Sequence, residues 1–282
     1  MNKFGRLSIL SAICLSTLSA NSQNKSDFGM DFNLGAEKKI CNGVNFSLDA
    51  EARTQDNTSK IERWAVGGAF GIKLYNTKKF DIKTTIGWEM IWQNRLAECK
   101  DKYDTETQFI GGTPTEVTYL SGYNCTEHYW RRRHRGSIGL AASYKPSKRW
   151  SFSLKETYQY NHYCKASTST DRYRLEDDED PTSAIIYQDT NNKNVRAKDR
   201  SILRSKLTAQ YNIKHSILEP YASVDYGCGL NYSTSKWKFT AGTDIKINKQ
   251  SAIDIFYRYQ TENDDDEPDG NLLGFGYKIK LK

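Results

Sequence analysis

Beyond its first 22 residues the chain has no run approaching the roughly 18 uncharged apolar residues of a membrane-crossing helix. That excludes a helical span. It leaves a β-barrel open, because only alternate residues of a barrel strand face lipid and the averaged hydropathy stays low. The six cysteines include no C-x-x-C pair, which argues against a structural metal site. Histidine is scarce: His128, His134, His162 and His215 are all there are. None sits in a nucleophile elbow or an H-x-x-x-S pattern, and His162 near Ser167 or Ser169 is the one pairing to weigh. An enzyme is therefore not the expectation. Charge of one sign is also in short supply. The formal net of +7 falls to +5 once Lys3 and Arg6 leave with a leader, too little to imply nucleic acid. The acidic run Asp264, Asp265, Asp266, Glu267 and Asp269 ends at Gly270 and invites a calcium loop. Started at Asp265, that loop puts Gly276 where the bidentate glutamate belongs, so a solvated connection is expected instead. No cofactor and no metal is expected.

What is present is order of period two. Residues 1–22 read as a signal peptide, with Lys3 and Arg6, an apolar stretch from Leu7 to Leu18, and small residues at Ala20-Asn21-Ser22. In the mature chain, residues 23–282, apolar and polar residues then alternate in run after run. Trp237, Phe239, Ala241, Ile245 and Ile247 interleave with Lys238, Thr240, Asp244 and Lys246. Ile253, Ile255, Tyr257 and Tyr259 oppose Asp254, Arg258 and Gln260, and Leu273, Phe275, Tyr277, Ile279 and Leu281 oppose Gly274, Gly276, Lys278 and Lys280. Strict alternation over about ten residues marks strands long enough to cross a bilayer at a tilt. The expected fold is all-β: an antiparallel up-and-down transmembrane β-barrel.

Ten such strands are predicted from residue 43 onward. The segment 28–37 makes an eleventh, either a strand or a piece tucked into the lumen. Because an even count is expected, the prediction is 10 or 12 strands. Short turns near 38–43, 75–79, 145–148, 213–216 and 247–250 alternate with longer links, of which 95–125 and 165–198 are long outer loops without alternation. That asymmetry places the short turns in the periplasm and the chain in the bacterial outer membrane. Aromatics fall into two belts, Trp64, Trp88, Trp92, Trp130 and Trp237 toward the outer ends and Tyr75, Tyr144, Trp150 and Tyr211 toward the inner ones. Glu156 breaks the pattern by landing on the lipid side, which predicts either a bulge there or a misassigned register for this strand.

Four cysteines, Cys99, Cys125, Cys164 and Cys228, fall at outer strand ends, with Cys41 alone in an inner turn. Two disulfides are expected in an oxidising compartment. Cys99–Cys125 with Cys164–Cys228 is the preferred pairing, since the first closes its own loop. The inward set carries charges of both signs: Glu51, Arg53, Glu89, Arg204, Glu219, Asp254 and Arg258 are expected to form a polar network that fills a narrow lumen. In Arg131-Arg132-Arg133-His134-Arg135, alternation sends Arg132 and His134 outward and the other three inward. Outward cations suit lipopolysaccharide phosphates, and inward ones suit anionic solutes or lumen carboxylates.

Several short stretches resemble an uncharacterised, domain-of-unknown-function family of outer-membrane barrels from Gram-negative bacteria. They are Ala50-Glu51-Ala52-Arg53, Ile202-Leu203-Arg204-Ser205-Lys206-Leu207, Glu219-Pro220-Tyr221, Ala241-Gly242, Asp254-Ile255-Phe256-Tyr257-Arg258-Tyr259-Gln260 and Leu273-Gly274-Phe275-Gly276-Tyr277. The resemblance implies a barrel and no known activity. Leu281-Lys282 closes the chain where such barrels usually carry a terminal aromatic residue read by the barrel-assembly machinery, the expected partner alongside outer-membrane lipids. Functionally, a structural or interaction barrel or a narrow solute channel is expected. The alternatives are an outer-membrane lipid-modifying enzyme and a soluble secreted β-sandwich or lipocalin-like binder.

Overall fold

The computed structural model describes residues 27–110, 113–176, 183–262 and 270–281; the expected signal peptide and the acidic run from Asp264 to Asp269 lie outside them. The strands in chain order are β1 (Asp27–Cys41), β2 (Val44–Gln55), β3 (Lys60–Asn76), β4 (Phe80–Arg95), β5 (Glu98–Ile110), β6 (Thr113–Thr126), β7 (Tyr129–Tyr144) and β8 (Trp150–Tyr163). They continue as β9 (Ala166–Leu175), β10 (Ile185–Val195), β11 (Lys198–Tyr211), β12 (Leu218–Gly229), β13 (Ser235–Lys246), β14 (Ser251–Glu262) and β15 (Gly270–Leu281). Eleven of them close a barrel in the order β1-β15-β14-β13-β12-β11-β8-β7-β4-β3-β2. Each barrel strand has 12 to 17 residues, more than a tilted bilayer crossing needs.

The even count is corrected to eleven, and the segment at 28–37 is a wall strand. When neighbours alternate in direction, an odd number leaves the first and last strands pointing the same way. Accordingly β1 and β15 pair in parallel, from Asp27 opposite Gly270 to Lys38 opposite Leu281. All other barrel pairs are antiparallel. The seam is pinned at the turn between β2 and β3, where Asp56, Asn57 and Thr58 all have positive φ. The Asp27 carboxylate accepts the backbone N–H groups of Asp56 and Asn57, each at 2.9 Å.

A second correction concerns the long loops. Residues 95–125 and 165–198 form two hairpins, β5–β6 and β9–β10, joined through β6 and β9 into a sheet of order β10-β9-β6-β5. Its strands are mainly Thr, Ser, Tyr, Asn and charged residues, so no apolar face betrays the alternation. The Glu156 bulge is corrected as well. The β8 register runs unbroken past Glu156, whose carboxylate accepts the Ser205 hydroxyl at 2.6 Å.

Cys99 and Cys125 are directly opposite on β5 and β6 and are disulfide-bonded. Cys164 and Cys228 are free thiols, so the second expected bridge is not formed, and Cys41 is free and exposed. Because the bridge lies wholly in the extension sheet, reduction is expected to open β5–β6 and spare the barrel. Limited proteolysis should cut within 98–126 only after reductant, with the barrel fragment retained. The same sheet supplies a pH dependence. Arg172 donates to Asp189 (Nε to Oδ1, 2.6 Å), and this hydrogen bond, with the guanidinium charge behind it, holds the Asp189 carboxyl below the usual range. A lowered folded pKa gives stability that is full above the unfolded value, about 3.9, and lost as pH falls through the folded one. Amides of β9 and β10 are therefore expected to exchange faster, relative to barrel amides, at pH 3 than at pH 6. Asp189→Asn should abolish that difference.

Candidate functional site

The pleat decides what each face of the wall carries. Outside, Leu34, Leu48, Phe70, Ile86, Ile138, Leu154, Leu207 and Phe239 are among the large apolar side chains left exposed. Inside, buried groups include Asp31, Arg53, Glu62, Arg63, Arg131, Arg133, Asn161 and Asp225. A water-soluble barrel would show the opposite arrangement. Rings gather toward the two ends of this outer face. Trp64 stacks on Trp92 at 3.8 Å and Tyr226 meets Trp237 at 4.5 Å toward the long-connection end. Trp150 meets Tyr211 at 4.9 Å at the short-turn end.

Inside, the charges form a layer on one side of the barrel. Arg53 on β2, 1% exposed, lies 3.2 Å from Asp31 of β1, 3.2 Å from Glu51 and 3.6 Å from Glu62 of β3. Arg63 reaches Glu51 at 2.8 Å, and Arg258 comes across from β14 to Asp31 at 3.0 Å. Ions this deep persist only when paired, so the cluster acts as a cross-brace spanning β14, the parallel seam and β3. The remaining members of the expected network are distributed around the wall. Glu89 takes Arg135 at 2.8 Å, Arg204 pairs with Asp225, Glu219 accepts Lys246 and Asn212, and Asp254 accepts the Tyr221 hydroxyl at 2.9 Å. Most of these contacts join adjacent strands, whereas Asp254 on β14 reaches past β13 to Tyr221 on β12.

The opposite wall, β7, β8, β11, β12 and β13, is cationic toward the long-connection end. Four cations surround the buried Tyr163 ring: Arg131 at 5.1 Å, Arg133 at 5.2 Å, Lys198 at 5.0 Å and Arg200 at 5.8 Å. Arg133 also donates to the Tyr163 hydroxyl at 2.8 Å, and Arg200 lies 4.3 Å from the Tyr232 ring. An aromatic face attracts cations and lets several approach a common centre. Lys236 and Lys238 complete this side, and Asp225 is the one carboxylate lining the hollow among the described residues. The sequence reading placed Arg131, Arg133 and Arg135 inward but missed Tyr163, Arg200, Lys236 and Lys238 as their company. The period-two pattern gives a residue's face, whereas only the register gives its height on the next strand. A second hollow toward the short-turn end is lined by Glu37, Asp49, Glu51, Glu89 and Asp254, with Arg258 and Lys278.

The catalytic pairing does not assemble. His162 Nδ1 contacts Asp199 at 2.7 Å, while Ser167 bonds Asn194 and Ser169 bonds Glu127. His162 and His134 face each other across β8 and β7 on the outer surface, away from the interior hollows. Among the described residues no group of three or more His, Cys, Asp or Glu is arranged to hold a metal ion.

A family model described as "Protein of unknown function (DUF2490)" matches residues 28–271, most of the chain. No curated protein matches it. Among solved structures, the CymD monoaromatic hydrocarbon channel is similar at 12% identity and a TM-score of 0.26, over 83% of this chain and 82% of that one.

Proposed function

We propose, for a chain that belongs to the DUF2490 family, a β-barrel of the bacterial outer membrane that serves as a structural or interaction barrel and presents its extension sheet outside the cell. The carrying observation is the inversion of its two faces: exposed apolar rows outside and paired charges within a closed sheet. The aromatic belts at the ends of those rows support the same reading. The described wall closes without an unpaired edge strand, so its backbone ladders pair within the sheet, as a lipid environment demands. Membrane fractionation followed by gel electrophoresis tests this. The unboiled protein should migrate away from its boiled position and should stay with the membrane pellet. Recovery in the soluble fraction with no mobility shift would overturn it.

A narrow solute channel is the second reading, favoured by the hollows on the two sides of the Arg53 layer. Planar-bilayer recordings decide between them. The structural barrel predicts no steady conductance above the bilayer background, because the ion-paired layer obstructs one side of the lumen and the cationic hollow opposite it encloses only about 50 Å³ of water-accessible space.

A further inference from the structure

We infer that the extension sheet binds a basic peptide segment of a partner protein on the face that carries its tyrosines. The register puts Asp101, Tyr123, Tyr173 and Tyr187 side by side in one row across β5, β6, β9 and β10. Cys99, Cys125, Asp171 and Thr190 form the next row of the same face, so the disulfide fixes β5 against β6 beside the tyrosines. The opposite face holds the cations. Lys100 and Lys102 lie opposite Asn124 and Gly122, which in turn lie opposite Arg172 and Arg174. The two-residue period puts Lys193 on that face as well. These are all the lysines and arginines of the four strands, so the tyrosine face has none.

The two faces also differ in what their charges do. On the cationic face Arg172 pairs with Asp189, Lys102 with Asp104 and Lys100 with Glu98. On the tyrosine face neither Asp101 nor Asp171 forms an ion pair with a described residue. Each accepts a hydroxyl instead, Asp101 from Tyr103 at 3.1 Å and Asp171 from Thr190 at 2.5 Å, with the Tyr187 hydroxyl 2.7 Å from Thr190. Carboxylates without counter-ions beside aromatic faces attract ammonium and guanidinium groups, and arginine can both pair with the one and stack on the other. Shape narrows the class. The face is open, with Tyr103 58% and Tyr187 53% exposed, so a lone small cation stays hydrated there and gains little. A chain bearing several cations collects several such contacts, and the row of about 14 Å, three strand spacings, matches about four extended residues. Charge argues against two other occupants. An anionic lipid surface is repelled by this face, and the cationic face of a second copy is already engaged by its own carboxylates. The chain as a whole has a formal net charge of +7, so the attraction for a basic peptide is local to this face.

The site names the partner of the interaction barrel and rests on that reading for the sheet's place outside the cell. Its test is the fluorescence anisotropy of a labelled eight-residue peptide alternating arginine and serine, titrated with the full-length barrel in non-ionic detergent. Saturable binding is expected, at least tenfold tighter than that of the same peptide with citrulline at every arginine. Asp101→Asn and Tyr187→Leu should each weaken it about fivefold, the effect of losing one exposed contact of this kind. Glu106→Gln removes a carboxylate from the opposite face and should leave the affinity unchanged. The proposal is overturned by absence of saturable binding, by equal binding of the citrulline peptide, or by unchanged affinity in both tyrosine-face variants. Equal losses in Glu106→Gln and Asp101→Asn overturn it too, since only net charge would then matter. Spermine binding as tightly as the peptide would assign the face to small cations, and self-association abolished by Asp101→Asn would assign it to a second copy; either result sinks the peptide. The gel-mobility shift is read on the same samples. A normal shift without peptide binding defeats only the site, whereas loss of the shift with recovery in the soluble fraction defeats the membrane reading and the sheet's outside placement with it.

Discussion

Arg53→Met is expected to destabilise the barrel by about 3–5 kcal/mol, the cost of leaving a buried carboxylate without its partner. Arg53 is 1% exposed and its guanidinium faces three carboxylates, Asp31, Glu51 and Glu62. Arg63 still serves Glu51 and Arg258 still serves Asp31, so Glu62 suffers most: its other ion pair, to Arg63, is 3.8 Å long. Adding Glu62→Gln should therefore restore part of the loss, since it neutralises the stranded charge. Urea titrations of protein folded into lipid vesicles, followed by tryptophan emission, measure both effects. A midpoint shift worth under about 0.5 kcal/mol would mean that water reaches this layer and screens it.

Ile138→Arg is expected to cost about 2–4 kcal/mol in the same assay, the value for arginine at the midplane of a lipid-facing strand. Ile138 lies halfway along β7, 51% exposed, between Ile86 of β4 and Tyr158 of β8. In water the same exposed position would tolerate arginine within about 0.5 kcal/mol. The substitution leaves the interior untouched, so its cost reports the medium around the barrel and nothing else. Together the two variants probe opposite faces of one wall: Arg53 asks whether the inside is dry, and Ile138 whether the outside is lipid.

Much of the wall was legible because a strand writes its two environments into alternate residues. Leu203 and Leu207 against Arg204 and Lys206 give a strand, its length and its faces without any partner. The extension sheet was not legible for the same reason. Where both faces meet solvent, as along β9 and β10, alternation carries no contrast and backbone pairing leaves no trace in hydropathy. Cys99–Cys125 could be proposed because both residues bound one connection. Cys164 and Cys228 looked equivalent by position, yet only their separation in space determines whether they bond, and both remain free.

The sequence by itself determined which residues face in and which face out, since that follows from a two-residue period within each strand. Only the tertiary structure decided the closure. Eleven strands instead of ten or twelve, the parallel meeting of β1 with β15, and the height at which each charge sits all depend on register between strands far apart in the chain. Asp31 and Arg258 are 227 residues apart and meet because the ring closes; no local pattern encodes that distance.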